Sequence, residues 1–143
     1  MKYTFIPSKN VIKTRWYIID ANNKCLGRLA TEVVKLLRGK NKVFYTPSQS
    51  LGNNVIIINA DIITISGNKN VQKKYMRHSG RPGGKTIETF EQLQSRIPER
   101  ILEKAIKGML PKNRLGRELF TKLKIYSGDQ HPHVAQKPQV INF

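Results

Sequence analysis

The chain has 143 residues, a length suited to one domain, and carries 26 Lys and Arg against 9 Asp and Glu, a formal net charge of +17. Hydrophobic residues make up 38%, which sustains a lean core; no apolar run approaches the ~20 residues that span a bilayer, and one Cys excludes an internal disulfide. A compact body this cationic repels itself unless an anion neutralises it, so composition alone points to a polyanionic partner and away from a membrane or a small-molecule substrate.

Residues 1–15, MKYTFIPSKNVIKTR, contain no acid and are broken by Pro7. They lack the apolar stretch and cleavage site of a secretory signal and read as an irregular basic arm. Trp16 to Asp20 (WYIID) is a short apolar run, predicted as a strand, and ANNKCLG supplies turn chemistry after it. From Leu26 the period becomes helical: Leu26, Leu29, Ala30, Val33, Leu36 and Leu37 share a stripe, and Gly39 stops it. Residues 40–54 read as loop.

Val55 to Asn59 (VIIIN) and Ile62 to Ser66 (IITIS) are apolar runs without alternation, suited to one bent strand or two, buried on both faces. Residues 67–86 are polar, basic and Gly-rich, and read as an extended loop. Phe90, Leu93 and Ile97 mark a short helix. Pro98 suits the first position of a second one, where its missing N–H costs nothing. Ile101, Leu102, Ala105, Ile106 and Met109 form its stripe, and Gly108 and Pro111 end it. Residues 114–122 suit a third short helix with Leu115 and Leu119 inward, and Leu123 to Tyr126 a last strand. The order predicts an α/β fold, a single three-layer α/β/α domain with a mainly parallel sheet of about four strands. The arm occupies 1–15, the domain 16–127 and a Pro-rich tail 128–143.

The charge is clustered. No acid lies between Asp61 and Glu88, whereas Lys69, Lys73, Lys74, Arg77, Arg81 and Lys85 do, interleaved with Tyr75 and His78. Cations with planar rings and Gly residues suit a segment that follows a phosphate chain and stacks on unpaired bases. A second group holds Lys107, Lys112, Arg114, Arg117, Lys122 and Lys124, and a third Arg28, Lys35, Arg38, Lys40 and Lys42. His131 in the tail is a further candidate contact. The bland reading of each group is a solvated surface, and the net charge weighs against it.

Other chemistries fit poorly. Gly80-Arg-Pro-Gly-Gly-Lys-Thr86 approaches a phosphate loop, but its first Gly is one residue too close and no buried strand precedes it. His131 and His133 lack the Cys or acids that complete a metal site, so no metal and no cofactor are expected. Asp20 at a strand end reads as a turn or cap residue, and Cys25 as a small buried group. No Ser-His-Asp or paired-carboxylate arrangement assembles, so no catalytic residue is assigned.

Longer stretches carry a resemblance. WYIIDANNKCLGRLATEVVKLLRGK, VIIINAD with SGNK, RHSGRPGG, and RIPERILEKAIKGMLPKNRLGRELFTKLKIYSGDQHPHVAQKP resemble the bacterial-type large ribosomal subunit protein 13 family over about residues 14–140. Asn53 and Cys25 stand where that family commonly has other residues. The resemblance implies a three-layer body, no enzymatic activity and no cofactor. It implies partners in the large-subunit rRNA and neighbouring large-subunit ribosomal proteins, a role early in subunit assembly, and a place on the ribosome of a bacterial cytoplasm or a plastid stroma.

Overall fold

The computed structural model describes residues 5–8, 12 and 14–143. The arm expected over 1–15 therefore falls partly outside the described residues. Strand β1 (Trp16–Asp20) runs into a turn closed by the Asp20 carboxylate, which accepts the Asn22 N–H at 2.9 Å. Asp20 is thus the turn residue expected. Helix α1 (Leu26–Arg38) follows, with Cys25 half-buried at its N-cap rather than fully enclosed. Gly39 ends it at φ 72, in the left-handed region where a Cβ is disfavoured.

Strand β2 (Asn54–Ile58) pairs in parallel with β1, Ile18 beside Ile56, so β1–α1–β2 is a crossover unit. Beyond it the expectation of strand over Ile62 to Ser66 fails. A 3-10 turn occupies Ala60–Ile62, and only one bridge, Cys25 to Thr64, continues the pairing. Asn59 has φ 55, a left-handed residue that diverts the chain before a second strand can extend.

The 67–86 segment is not a loop either. It holds a short helix α2 (Lys69–Gln72), strand β3 (Lys74–His78) and strand β4 (Lys85–Thr89), the two strands paired antiparallel as a hairpin. Helix α3 (Phe90–Arg96) starts from a capping box in which Thr89 Oγ1 accepts the Gln92 N–H and the Gln92 side chain accepts the Thr89 N–H. Pro98 sits at the N-cap of helix α4 (Glu99–Met109), one position before that expected. Gly108 lies inside this helix rather than ending it, and Met109 is 42% exposed instead of inward. Helix α5 (Arg114–Thr121) is capped by Asn113, whose Oδ1 accepts the Gly116 N–H at 2.8 Å.

Strand β5 (Leu123–Ile125) is not the last: β6 (Gln139–Val140), in the tail, adds an edge. The sheet order is β5-β2-β1-β6, with every pairing parallel. Ile19, Val55 and Ile57 meet Leu29, Val33 and Leu37 of α1, Ile101, Leu102 and Ile106 of α4, and Leu119 of α5 in one core. Alternation sends Ile56 to the opposite face, yet it is also fully buried, so both faces are covered. On that second face the tail contributes His133, whose ring lies 5.3 Å from that of Trp16.

Candidate nucleic-acid interface

The hairpin presents the first cationic group. Its register sets Arg77 opposite Thr86 and His78 opposite Lys85. The turn closes through Ser79 N–H to the Gly84 carbonyl at 3.1 Å and Gly84 N–H to the Arg81 carbonyl at 3.0 Å. Gly80 and Gly83 have φ of 89 and 74, which the tight connection requires. Lys69, Lys73, Lys74, Arg77, His78, Arg81 and Lys85 are all exposed.

The root of the hairpin is anchored. Tyr75 is half-buried against the core, with Lys73 Nζ 5.6 Å and Lys104 Nζ 5.0 Å from its ring centroid. Burial pushes its phenol upward in pKa, and its hydroxyl has no hydrogen-bond partner among the described residues. Arg96 Nη2 reaches both Glu88 oxygens at 2.6 and 2.8 Å. Tyr75 is therefore an anchor in this structure, while the open part of the hairpin is cationic.

The second group surrounds a cleft of about 450 Å³ between α4 and α5. Lys107, Lys112 and Arg117 line it together with Leu110, Pro111 and Phe120, and Lys107 Nζ stands 5.7 Å from the Phe120 ring centroid. The backbone approach is close: a Cβ on Gly116 would lie 1.7 Å from the Pro111 carbonyl oxygen. Arg114 is exposed on the same helix and Lys124 half-buried on β5. Lys122 is half-buried and donates to Ser50 Oγ at 2.8 Å; burial lowers its pKa, with Glu118 opposing.

The third group divides by environment. Arg28 and Lys40 are exposed. Lys35 pairs with Glu32 at 2.7 Å, and Arg38 donates to the Tyr45 hydroxyl at 2.7 Å with its guanidinium over that ring. Lys42 lies 6.0 Å from the Phe44 ring centroid; its pKa is lowered first by burial, then by the positive charges of Lys122 and Arg15. The fold thus brings Lys42 of the third group into the field of Lys122 of the second, and adds Arg15. Sequence spacing did not reveal that junction, although Phe44 and Tyr45 beside Lys42 repeat the ring-and-cation interleaving of the hairpin.

His131 belongs to a ring cluster. Its Nδ1 accepts the His133 N–H at 3.2 Å, and His133 Nε2 lies 2.8 Å from the Tyr126 hydroxyl. Among the described residues no three His, Cys, Asp or Glu side chains converge as metal ligands, and no helix is long and apolar enough to cross a membrane. The carboxylates do little to neutralise the surface. Among the described residues the ion pairs within 4.0 Å are Lys35–Glu32 and Arg96–Glu88. A packed α/β body thus carries three cationic groups on its helices, its hairpin and the adjoining loops.

Comparison with known proteins gives one answer throughout. The family model described as ribosomal protein L13 matches residues 14–132. The large ribosomal subunit protein uL13 of Crocosphaera subtropica is 63% identical over 139 residues, covering 97% of this chain and 92% of the relative. Those of Synechococcus sp. strain RCC307 and Acaryochloris marina are 61% and 58% identical, covering 97% and 99% of this chain and 93% and 94% of theirs. With a match along nearly the whole sequence and a parallel α/β body beneath it, the chain belongs to the ribosomal protein L13 family, whose members are structural and not enzymes.

Proposed function

We propose that this chain is a structural constituent of the large ribosomal subunit that binds large-subunit rRNA and supports early assembly. The observation that carries the reading is the uneven charge. A net +17 is mounted on a packed core, with two carboxylate ion pairs among the described residues and cationic groups on the hairpin, around the α4–α5 cleft and along α1 and the loop after it. Such an array neutralises phosphates that would otherwise repel, and so holds rRNA segments together in one arrangement.

In this reading Arg77, Arg81, Lys85 and His78 reach RNA from the hairpin, while Lys69, Lys73 and Lys74 extend the contact at its base. Tyr75 contributes by fixing the hairpin to the body. Lys107, Lys112, Arg114 and Arg117 form a second contact surface, continued by Lys122 and Lys124, and Arg28, Lys35, Arg38, Lys40 and Lys42 a third. Neighbouring ribosomal proteins of the large subunit are the remaining partners, and His131 lies where the tail would meet RNA or one of them. No cofactor enters this role. The ribosome of a bacterial cytoplasm or a plastid stroma suits the reading, since the relatives are cyanobacterial.

The test is reconstitution of large subunits with this protein omitted. Reduced yield and incomplete compaction are expected; particles of normal yield and compaction would overturn the assembly role. Cosedimentation with large subunits at ordinary salt, and release at high salt, is the companion result.

A further inference from the structure

Arg15, Lys42 and Asn53 are remote from one another in the chain, yet they line one cleft of about 410 Å³, within the ~300–1,000 Å³ range of small-ligand pockets. Tyr17 and Phe44 supply aromatic surface in its wall, and no acid is among its described lining residues. Lys42 is held within the fields of Arg15 and of Lys122, which packs nearby through Ser50. Cations kept this close repel one another, and an anion placed among them would remove that repulsion. Asn53 closes the floor of the cleft: it is 1% exposed, and its Oδ1 accepts the Arg15 N–H at 3.2 Å, which holds the Arg15 backbone against it.

We propose that this cleft seats a single unstacked nucleotide of a single-stranded RNA segment. Its phosphate lies by Arg15 and Lys42, and its base stacks on Phe44. The proposal rests on the rRNA-binding reading above and makes it specific. An acidic peptide would satisfy the cations but has no flat face to lay on the Phe44 ring. A nucleotide uses both the cations and the ring, since its phosphate is anionic and every base has a flat face.

The experiment uses the full chain and two probes: a fluorescein-labelled tetraadenylate RNA followed by anisotropy, and intact large-subunit rRNA followed by filter binding. Phe44→Ala and Arg15→Ala should each weaken tetraadenylate binding by about tenfold, the loss typical of one stacked base or one charged contact. Lys24→Ala, which removes a charge elsewhere, should not. The Asn53 side-chain amide resonances should shift on titration, and thermal melts of the variants should match the parent. Tetraadenylate binding insensitive to both variants, or displaced by polyglutamate as readily as by RNA, overturns the nucleotide seat while leaving rRNA binding intact. So does rRNA binding with no tetraadenylate binding up to ~1 mM. Failure of the unaltered protein to bind rRNA overturns both.

Discussion

The Asn59 side-chain amide donates to the Asp20 carboxylate at 2.9 Å, joining the ends of β1 and β2 across 39 residues of sequence. The same oxygen accepts the Asn22 N–H. These two bonds, the backbone one first, hold the Asp20 pKa below the ordinary carboxylate value, with Lys24 assisting and burial opposing. A depressed folded pKa means that the stabilisation is present above the unfolded value of ~3.9 and is lost as pH falls through the lower folded value. Asp20→Asn should therefore lower Tm by a few degrees at pH 7, and the gap should narrow as pH falls below the unfolded value and through the lower folded one. Melts from pH 2.5 to 7 check this; a gap constant with pH would show that the ionised carboxylate contributes nothing.

Two glycines should respond with opposite sign. A Cβ on Gly52 would stand 1.5 Å from the Leu37 carbonyl oxygen, because the 51–53 segment crosses the end of α1 backbone to backbone. Asn53 N–H reaches the Leu36 carbonyl there at 3.2 Å. Gly52→Ala should cost about 3 kcal/mol or more, since backbone must separate from backbone. Gly108, exposed within α4, has nothing within 4 Å of its notional Cβ, so Gly108→Ala should stabilise by up to ~1 kcal/mol. Urea unfolding of both variants decides the point.

Ile57 is fully buried at the centre of the sheet, packed with α1 and α4. Ile57→Asp would place an unpaired charge in that core, at a cost of several kcal/mol against a total stability of ~5–15. Loss of the cooperative melt is expected, and an unchanged Tm would contradict the packing described.

Asn113 caps α5 through the Gly116 N–H. Asn113→Ala should cost about 1 kcal/mol, and Asn113→Asp or Ser should restore most of it. Equal losses in all three variants would point to a role other than capping.

RNA binding should be strongly salt-dependent. With ~8 phosphate contacts the log–log slope of affinity against salt should be roughly −6 to −7, and a slope near zero would remove the electrostatic basis of the proposed function. Arg81→Glu with Lys85→Glu should weaken incorporation into large subunits without lowering Tm, because both side chains are exposed on the hairpin. A loss of folding instead would mean that the hairpin supports the body.

Elements that bury one stripe or both faces are legible in the residue pattern. Leu26 to Leu37 repeat at helical spacing up to Gly39, Val55 to Ile57 form an unbroken run, and Ile101 to Ile106 mark the outer helix; each pattern exists because water is excluded from those positions. The cationic groups were equally legible, since charge needs no fold to be counted. The hairpin was not. Met76 and Ile87 face each other across it yet are 65% and 46% exposed, so neither strand shows a buried alternation. Strand β6 is two residues long and exists only because the tail returns to β1, with Ile141 N–H reaching the Ile18 carbonyl at 3.0 Å. The meeting of Arg15, Lys42, Asn53 and Lys122 was likewise decided by tertiary structure alone. Their convergence depends on how β1, β2 and the chain before β5 pack side by side, and no local period along a chain encodes a neighbour that arrives from another strand.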